Sequence, residues 1–399
     1  MLRGGCNKDL KLTKVREGKT DLTVPDPASY TFQGRYEPTR APVFYNPKME
    51  FSRDIAVLVL NALSKTRRRA IDVCDPLAGL GARGIRFAKE VSGLNKSVIG
   101  DLNDAAIPLI RENARINRVG GLVEIEHKDA NLLLAEHSEP GKRFDYIDID
   151  PFGTPAPFLD SAIRALKNGG LLAITATDTA PLCGIYSKAC LRKYGAVPLR
   201  SEFCHEVGLR IMIGAAVREA LKYDFGLEVL LSYSVDHYLR AYLRGSLGAT
   251  KADSSASDMG YIFYCPSCGW RSAVELGGEW LCGCGMCGKP LKRAGPLWCG
   301  KLADRAFTEC LVEQDRSGLN TKKRVEKLLR LLIMECEKPP TFYVIDRISS
   351  KLKRGVPPVA KVLERLIDMG YESSLTHFHP KAVKTAAPLD ALMEIVDEL

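Results

Sequence analysis

The stretch Phe144-Asp-Tyr-Ile-Asp-Ile-Asp-Pro-Phe-Gly153 decides how the rest of the chain is interpreted. Apolar residues alternate through it up to a carboxylate, a proline and an aromatic ring, contributed by Asp150, Pro151 and Phe152. This pattern is typical of a buried strand that delivers reactive groups at its carboxyl end. We therefore expect that end of the strand to be the active site.

Predicted strands and helices alternate on both sides of this stretch. Strands of about 4 to 8 residues that alternate with helices of about 10 to 15 indicate right-handed βαβ units and a parallel sheet covered on both faces. The last two strands flank the tight turn Asp236-His237, which predicts an antiparallel hairpin at one edge. Strands are predicted at residues 70–74, 97–100, 122–127, 171–177, 227–235 and 238–244, and helices at 85–91, 105–117, 157–167 and 204–223.

Composition narrows the class of protein. The 399 residues, 46% of them hydrophobic, are enough for two or three domains with real cores. No apolar run approaches the roughly 20 residues that cross a bilayer, and the first residues lack the apolar core of a signal peptide, so we expect a cytoplasmic protein without a membrane partner. The net charge of +9 permits a nucleic-acid partner without proving one.

The predicted domain organisation has two parts. Residues 1–248 form a catalytic domain whose first 40 residues are a short hairpin or arm, and residues 260–399 form a second domain. Small polar residues between positions 245 and 260 have the composition of a linker. The final unit, from residue 341, is predicted to contain two helices, a small hairpin and a last helix, an order similar to a winged helix.

A glycine loop and three acids point to the cofactor. Gly79-Leu-Gly81-Ala-Arg-Gly84 satisfies G-x-G-x-x-G between a strand and a helix, so a dinucleotide fold must be considered. However, Asp75, Asp101 and Asp129 end three successive strands, and an acid four residues before the first glycine repels a pyrophosphate. S-adenosylmethionine carries no phosphate and has a cationic methionine end, so the acids favour that cofactor.

Each acid has an expected role in holding S-adenosylmethionine. Asp75 is tolerated beside its ammonium and sulfonium groups, Asp101 accepts from both ribose hydroxyls, and Asp129 with the amide of Ala130 recognises the adenine edge. One of the three acids is expected to be a helix N-cap instead.

Two arginines and an aromatic loop complete the predicted cofactor site. Arg53 and Arg83 are suited to grip the methionine carboxylate, because a guanidinium makes two hydrogen bonds to it. Phe44 lies in a proline-constrained loop that can close over a ligand. The alternative is that Phe44 and Tyr45 plug the edge of the core and Arg53 caps a helix.

Asp150, Pro151 and Phe152 suit methyl transfer to an exocyclic amine. The Asp150 carboxylate and the Pro151 carbonyl can hold the two amine hydrogens, and Phe152 can stack on the base. The alternative is that Asp-Pro only starts a turn.

These motifs together resemble the tRNA (guanine-26, N2) dimethyltransferase family, and the resemblance covers almost the whole chain. Gly79 stands where that family commonly has alanine, and Ser52 where asparagine often precedes the arginine. The stretches that carry the resemblance are Phe44-Tyr-Asn-Pro, Arg53-Asp54, residues 75–86, 145–153, 175–184 and 199–206, Gly295-Pro-Leu-Trp and Thr376-His-Phe.

The resemblance implies a Rossmann-like class I methyltransferase domain followed by a C-terminal domain that helps to grip tRNA. It implies methylation of the guanine N2 amine, expected at position 26, to N2-methyl- and N2,N2-dimethylguanosine. The catalytic carboxylate is then Asp150. The implied contacts with S-adenosylmethionine are Arg53, Arg83, Asp101, Asp129 and Ala130.

Thirteen cysteines, five of them in one short segment, indicate reduced thiols and a metal site, not a disulfide framework. Cys265, Cys268, Cys284 and Cys287 have the C-x2-C-x15-C-x2-C spacing of two knuckles around a tetrahedral zinc ion with a role in folding. Cys282 is a possible substitute for Cys284.

Basic runs predict phosphate contacts to a folded RNA, although each alone is more commonly a solvated helix face. We expect a monomer. Three alternatives stay open: a nicotinamide-dependent oxidoreductase, a methyltransferase for another nucleic-acid exocyclic amine, and a non-enzymatic zinc-containing RNA-binding protein. The basic runs are Lys188/Arg192/Lys193, residues 322–330, and Arg347/Lys351/Lys353/Arg354.

Overall fold

A computed structural model describes residues 10–399 of the chain. Within that range no helix has the length and apolar character needed to cross a membrane. The chain separates into two compact units. The first runs to Asp148 and also contains Gln314–Val325, and the second contains Ile149–Glu313 and Glu326–Leu399.

The first unit is built from short strands, a four-stranded sheet and the helices that pack on it. In chain order its elements are β1 (Leu12–Glu17), β2 (Thr20–Pro25), β3 (Thr31–Phe32), β4 (Arg35–Tyr36), α1 (Glu50–Thr66), β5 (Ile71–Asp75), α2 (Ala82–Glu90), β6 (Leu94–Asp101), α3 (Ala106–Ile116), β7 (Val123–His127), α4 (Ala130–Glu136) and β8 (Phe144–Ile149), whose last residue begins the second unit.

The sheet of the first unit is parallel, as predicted. Its order is β8-β5-β6-β7, and β5 pairs in parallel with both β8 and β6. All six residues of β8 are buried, which fits the apolar alternation of the opening stretch. Gly84 of α2 lies so close to β6 that a Cβ there would be 2.6 Å from the Ile99 side chain. Glycine is therefore required where the helix crosses the strand.

The N-terminal arm is a hairpin, as predicted, and its first nine residues lie outside the described range. β1 pairs with β2 in antiparallel register, and the β2 side chains Leu22 and Val24 are buried. Asn113 of α3 fixes the hairpin, because its Oδ1 accepts a hydrogen bond from the Thr23 amide at 2.7 Å.

The segment Gln314–Val325 lies against α1. The Thr321 hydroxyl donates to Asp54 Oδ2 at 2.5 Å, and the Gln314 amide donates to the Leu58 carbonyl at 2.9 Å. The predicted domain boundary at residues 248–260 stays a prediction.

The second unit continues from β8. In chain order its elements are α5 (Leu159–Arg164), β9 (Leu166–Ala176), α6 (Thr179–Leu182), α7 (Ser187–Tyr194), α8 (Cys204–Leu221), β10 (Phe225–Val235), β11 (Tyr238–Leu247), α9 (Ala249–Ser257), β12 (Met259–Tyr264), β13 (Arg271–Glu275), β14 (Lys292–Trp298), α10 (Arg305–Glu313), α11 (Lys322–Glu335, whose first four residues belong to the first unit), β15 (Tyr343–Val344), α12 (Ile345–Leu352), α13 (Val359–Asp368), β16 (Ser373–Leu375), β17 (Ala382–Thr385) and α14 (Leu389–Glu398).

The predicted hairpin is β10 and β11, joined at Asp236, and β11 also pairs in antiparallel register with β9. Strand β9 begins at Leu166, before the predicted start at residue 171, so Gly169 and Gly170 lie inside the strand. The helix predicted at residues 157–167 is correspondingly shorter and ends at Arg164.

The stretch with linker composition contains a helix, α9. Ser255 on this helix exchanges hydrogen bonds with Leu227 of β10, donating to its carbonyl at 3.0 Å and accepting from its amide at 2.9 Å. A Cβ at Gly226 would lie 2.2 Å from the Lys251 carbonyl oxygen. Ser255, one of the small polar residues that suggested a linker, thus helps the helix to pack closely on a strand.

The final module has the predicted order of elements. Helices α12 and α13 precede the hairpin β16–β17, β17 pairs with β15 as well, and α14 closes the chain. Its apolar core includes Ile345, Val362, Leu366, Leu392 and Ile395.

Candidate active site

The glycine loop between β5 and α2 binds a carboxylate of the protein itself, that of Asp75. Gly79 and Gly81 have φ angles of 56° and 80°, which favour glycine. Asp75 is buried, and its Oδ2 accepts from the Gly84 amide in the first turn of α2 at 3.1 Å. The end of the helix that would attract a pyrophosphate thus faces a carboxylate. This geometry favours a cofactor without phosphate.

Asp101 is held in place at the end of β6. Its Oδ2 accepts from the Gly79 amide at 2.7 Å, and its Oδ1 from the Asn103 amide at 2.9 Å. Each carboxylate oxygen retains a further lone pair, so this fixed, partly exposed group can accept from two vicinal hydroxyls. The Asn103 side chain also donates to the Pro42 carbonyl at 2.7 Å, which ties the aromatic loop to this strand end.

Asp129 is the acid that caps a helix. Its Oδ1 accepts from the Asn131 and Leu132 amides at 2.9 and 3.2 Å at the start of α4. Ala130 is the buried first residue of that helix, where backbone amides have no partner within the helix. Asp129 therefore positions the helix end that is expected to recognise adenine.

The sequence interpretation missed two apolar side chains in this region. Leu102 directly follows Asp101 and is 66% exposed, and Leu132 in the first turn of α4 is 52% exposed. Exposed leucines beside fixed acids can pack on the faces of a planar base. The sequence feature that could have revealed these leucines is an apolar residue within three positions after each acid.

Phe44 lies beside the glycine loop. A Cβ on Gly79 would be 3.0 Å from the Phe44 carbonyl oxygen, so the two backbones approach closely. Phe44 is half-buried, while Tyr45 is buried and donates its hydroxyl to Glu17 Oε1 at 2.8 Å.

Arg53 is buried and grips a carboxylate of the protein itself. It donates to Glu17 through Nε at 2.7 Å and Nη2 at 2.6 Å. Burial acts to raise the pKa of Glu17, but Arg53 and Arg86 outweigh it and the pKa lies below its usual value. Nothing in the sequence marks Glu17, in the N-terminal hairpin, as this partner. A contact of Arg53 with the methionine carboxylate stays a prediction.

Arg83 pairs with an acid of β8, the strand that leads to the loop of Asp150. Its Nε lies 3.5 Å from Asp148 Oδ1, and Asp148 also accepts from the Tyr146 hydroxyl at 2.6 Å. Arg83 and Asp148 are both buried. Asp148 therefore supports an arginine of the predicted cofactor site, consistent with a structural role for this acid.

The loop after β8 is anchored through Gly153. Its amide donates to Thr177 Oγ1 at 2.8 Å, and its carbonyl accepts from the Thr177 and Asp178 amides at 2.8 and 3.3 Å. Asp178 is in turn held by Lys193 at 2.9 Å and the Tyr194 hydroxyl at 2.7 Å. Thr177 and Asp178 were missed as supports, although they lie in a stretch that carries the family resemblance.

Within the anchored loop, Asp150 is half-buried, Pro151 is buried and Phe152 is 70% exposed. A phenylalanine this exposed on a fixed loop is suited to stacking on a ligand.

The four-cysteine group has the geometry of a zinc site. The Sγ atoms of Cys265 and Cys287 are 3.6 Å apart, and those of Cys268 and Cys284 are 3.4 Å apart. Tetrahedral zinc with bonds of about 2.3 Å places its sulfurs about 3.8 Å apart. Each C-x2-C pair closes a matching knuckle through a backbone bond, from Gly269 to Cys265 and from Gly288 to Cys284.

Cys284, and not Cys282, belongs to this group. The four sulfurs of Cys265, Cys268, Cys284 and Cys287 lie within 4.8 Å of one another. Cys282 is exposed, and its sulfur contacts the Trp280 carbonyl.

Some of the basic residues line a cavity in the second unit. Arg347 and Lys351 of α12 border a cavity of about 430 Å³ together with Arg200 and Arg271. Lys193 and Arg354 instead pair with acids, Asp178 and Asp397.

Three comparisons place these features among known proteins. A family model described as N2,N2-dimethylguanosine tRNA methyltransferase matches residues 18–397. The tRNA (guanine(26)-N(2))-dimethyltransferase of Methanobrevibacter smithii is 39% identical over 393 residues, covering 98% of both chains. The enzyme of that name from Pyrococcus abyssi is 40% identical over 402 residues, covering 97% of this chain and 99% of its own.

A solved structure of Trm1 from Pyrococcus horikoshii in complex with S-adenosyl-L-methionine has a TM-score of 0.85 against this chain. Its sequence is 37% identical to this one, and the match covers 96% of this chain and 100% of the Pyrococcus horikoshii chain.

Proposed function

Since the chain belongs to the N2,N2-dimethylguanosine tRNA methyltransferase family, we propose that it methylates the N2 amine of guanine 26 in tRNA, with S-adenosylmethionine as donor. Its fold is the Rossmann-like methyltransferase fold. The products are N2-methyl- and N2,N2-dimethylguanosine. The observation that carries the proposal is the anchored loop of Asp150, Pro151 and Phe152, directly after β8. Strand β8 pairs in parallel with β5, which ends in Asp75, and β5 pairs in parallel with β6, which ends in Asp101.

The residues proposed to hold the cofactor all lie in the first unit, and they suit a cofactor that carries no phosphate. Asp101 accepts from the ribose hydroxyls, because two backbone amides fix its carboxylate. Asp129 caps α4 through Oδ1, and its second carboxylate oxygen and the Ala130 amide recognise the adenine edge. The full proposed set is Phe44, Arg53, Asp75, Arg83, Asp101, Asp129 and Ala130. When bound, S-adenosylmethionine supplies an electrophilic methyl group on a sulfonium centre.

The residues proposed to act on guanine are those of the anchored loop. The Asp150 carboxylate and the Pro151 carbonyl accept hydrogen bonds from the N2 hydrogens, which directs the nitrogen lone pair away from them. Asp150 takes up the proton that the nitrogen loses as the N–C bond forms. Phe152 stacks on the base and keeps its plane fixed. In a second round the monomethylated amine has one hydrogen left, and it donates that hydrogen to the Asp150 carboxylate, which again takes up the proton.

The C-terminal part, residues 260–399, is proposed to grip tRNA phosphates. Support comes from Arg347 and Lys351 beside the first cysteine knuckle, where Lys351 Nζ lies 3.4 Å from the Ser267 carbonyl. Zinc bound by Cys265, Cys268, Cys284 and Cys287 would hold that knuckle. We propose a cytoplasmic monomer.

The proposal is tested with unmodified tRNA, labelled S-adenosylmethionine and mass spectrometry of the released nucleosides. We expect methylated guanosine from wild type, none from a transcript with adenosine at position 26, and a rate about 100-fold to 10,000-fold lower for Asp150→Asn. The matched control is Asp253→Asn, which changes an exposed carboxylate and should retain the wild-type rate.

Calorimetry with S-adenosylhomocysteine separates the possible failures. Asp150→Asn should bind it as wild type does. A wild-type rate for Asp150→Asn would overturn the assigned carboxylate. Methylation of another base by wild type would overturn the substrate, and binding of NAD in place of S-adenosylhomocysteine would favour the oxidoreductase.

A further inference from the structure

Two thiols and an imidazole converge in the second unit, outside the four-cysteine group. Cys183 follows α6, whereas Cys204 and His205 begin α8. One ligand atom from each of the three lies within 4.8 Å of the others, and Cys204 Sγ is 3.9 Å from His205 Nδ1. We propose that Cys183, Cys204 and His205 bind a second zinc-type divalent ion.

The donor set fits such an ion. Zinc takes thiolate sulfur at about 2.3 Å and imidazole nitrogen at about 2.0 Å, which places neighbouring ligand atoms about 3.5 to 3.8 Å apart. The observed separations reach that range with small side-chain movements. Two sulfurs and one nitrogen select zinc over magnesium or calcium, which prefer oxygen. Three protein ligands leave a fourth position for water.

The backbone brings the two thiols together. Gly184, directly after Cys183, has a φ of 88°, and a Cβ there would be 2.8 Å from the Arg200 amide nitrogen. The turn that carries Cys183 is therefore packed against the segment that leads into α8. Cys183 is buried, Cys204 is half-buried and His205 is exposed, so an ion would enter from the histidine side.

Cys204 lies where a thiolate is stabilised. It is the first residue of the eighteen-residue helix α8, whose amino end favours negative charge.

The position of the site suggests a structural role beside the catalytic loop. Helix α6 begins at Thr179, immediately after the two residues, Thr177 and Asp178, that hold Gly153. An ion that links the end of α6 to the start of α8 would hold Thr177 and Asp178 in position. The second site goes beyond the proposed function, and its test does not depend on activity.

The test measures zinc in the full-length protein after dialysis against a zinc-buffered solution. We expect two ions per chain for wild type, and one for both Cys183→Ser and His205→Gln. Cys284→Ser should lose the other ion. Cys190→Ser, which changes a buried thiol outside the group, should retain both. His205 is exposed, so His205→Gln should preserve the melting temperature of the metal-free protein while its affinity for the second ion falls at least about 10-fold.

Cobalt substitution provides a second readout. The second equivalent of cobalt should add thiolate charge-transfer absorption in wild type but not in Cys183→Ser. In Cys284→Ser the single bound equivalent should give that absorption. One ion per chain in wild type, or two in both Cys183→Ser and His205→Gln, would overturn the proposal. So would a Cys183–Cys204 disulfide in the purified protein without a second ion.

Discussion

The ammonium group of Lys384 lies 2.8 Å from each carboxylate oxygen of Glu206, and both side chains are buried. Glu206 stands on α8, one residue after His205, and Lys384 stands on β17 of the final module. Arg210 and the Thr341 amide also donate to Glu206, at 3.0 and 2.8 Å. This cluster links the final module to helix α8, which begins at Cys204.

Replacing Lys384 by methionine should lower the free energy of unfolding by about 3 kcal/mol, because Glu206 is left buried with one cation fewer. Urea unfolding measures the change. The control is Lys381→Met, which removes an exposed pair with Asp346 and should cost less than about 1 kcal/mol. Equal losses in the two variants would show that the buried pair contributes no more than a surface pair.

The same cluster predicts a pH dependence of stability. Burial acts to raise the pKa of Glu206, but Lys384 and Arg210 outweigh it and lower the pKa from 4.5 to about 2. A pKa that is lower in the folded state stabilises the protein fully above the unfolded value, and this stabilisation is lost as pH falls through the folded value. Relative to Glu206→Gln, wild type should therefore lose roughly 3 kcal/mol between about pH 5 and pH 2. Urea unfolding of both proteins across that range measures it, and a constant difference would contradict the assignment.

Asp101→Asn should weaken binding of S-adenosylhomocysteine about 10-fold or more, because it removes one charged acceptor from the proposed ribose contact. Calorimetry measures the affinity. Asp104→Asn is the matched control, since Asp104 lies in the same loop with a side chain that is 92% exposed. If both variants bind as wild type does, Asp101 does not hold the ribose.

Cys284→Ser should lose the zinc ion of the four-cysteine site and lower the melting temperature of the zinc-loaded protein, because three thiolates no longer close the tetrahedron. Cys282→Ser changes a thiol two residues away that contacts only a backbone carbonyl among the described residues, and it should retain zinc and stability. Metal analysis and thermal melting distinguish the two, and zinc loss in Cys282→Ser alone would reverse the assignment.

Sequence alone was sufficient where neighbouring residues carry the information. Alternating strands and helices predicted that β5, β6 and β7 are parallel, and the acids at their ends predicted one shared edge, because the carboxyl ends of parallel strands lie together. The spacing of Cys265 and Cys268 predicted a knuckle, since it closes by the backbone bond from Gly269 to Cys265.

Only tertiary structure decided which distant groups meet. Glu17 pairs with Arg53, Lys384 with Glu206, and Cys183 lies beside Cys204, although no periodicity connects the members of these pairs. The composition of residues 245–260 suggested a linker, but the fit of Ser255 and Gly226 between α9 and β10 makes it a helix. The local sequence pattern determines helices and strands, because it sets their short-range hydrogen bonds and their buried face. The partner of a buried charge or thiol instead depends on which distant segments of the chain pack around it.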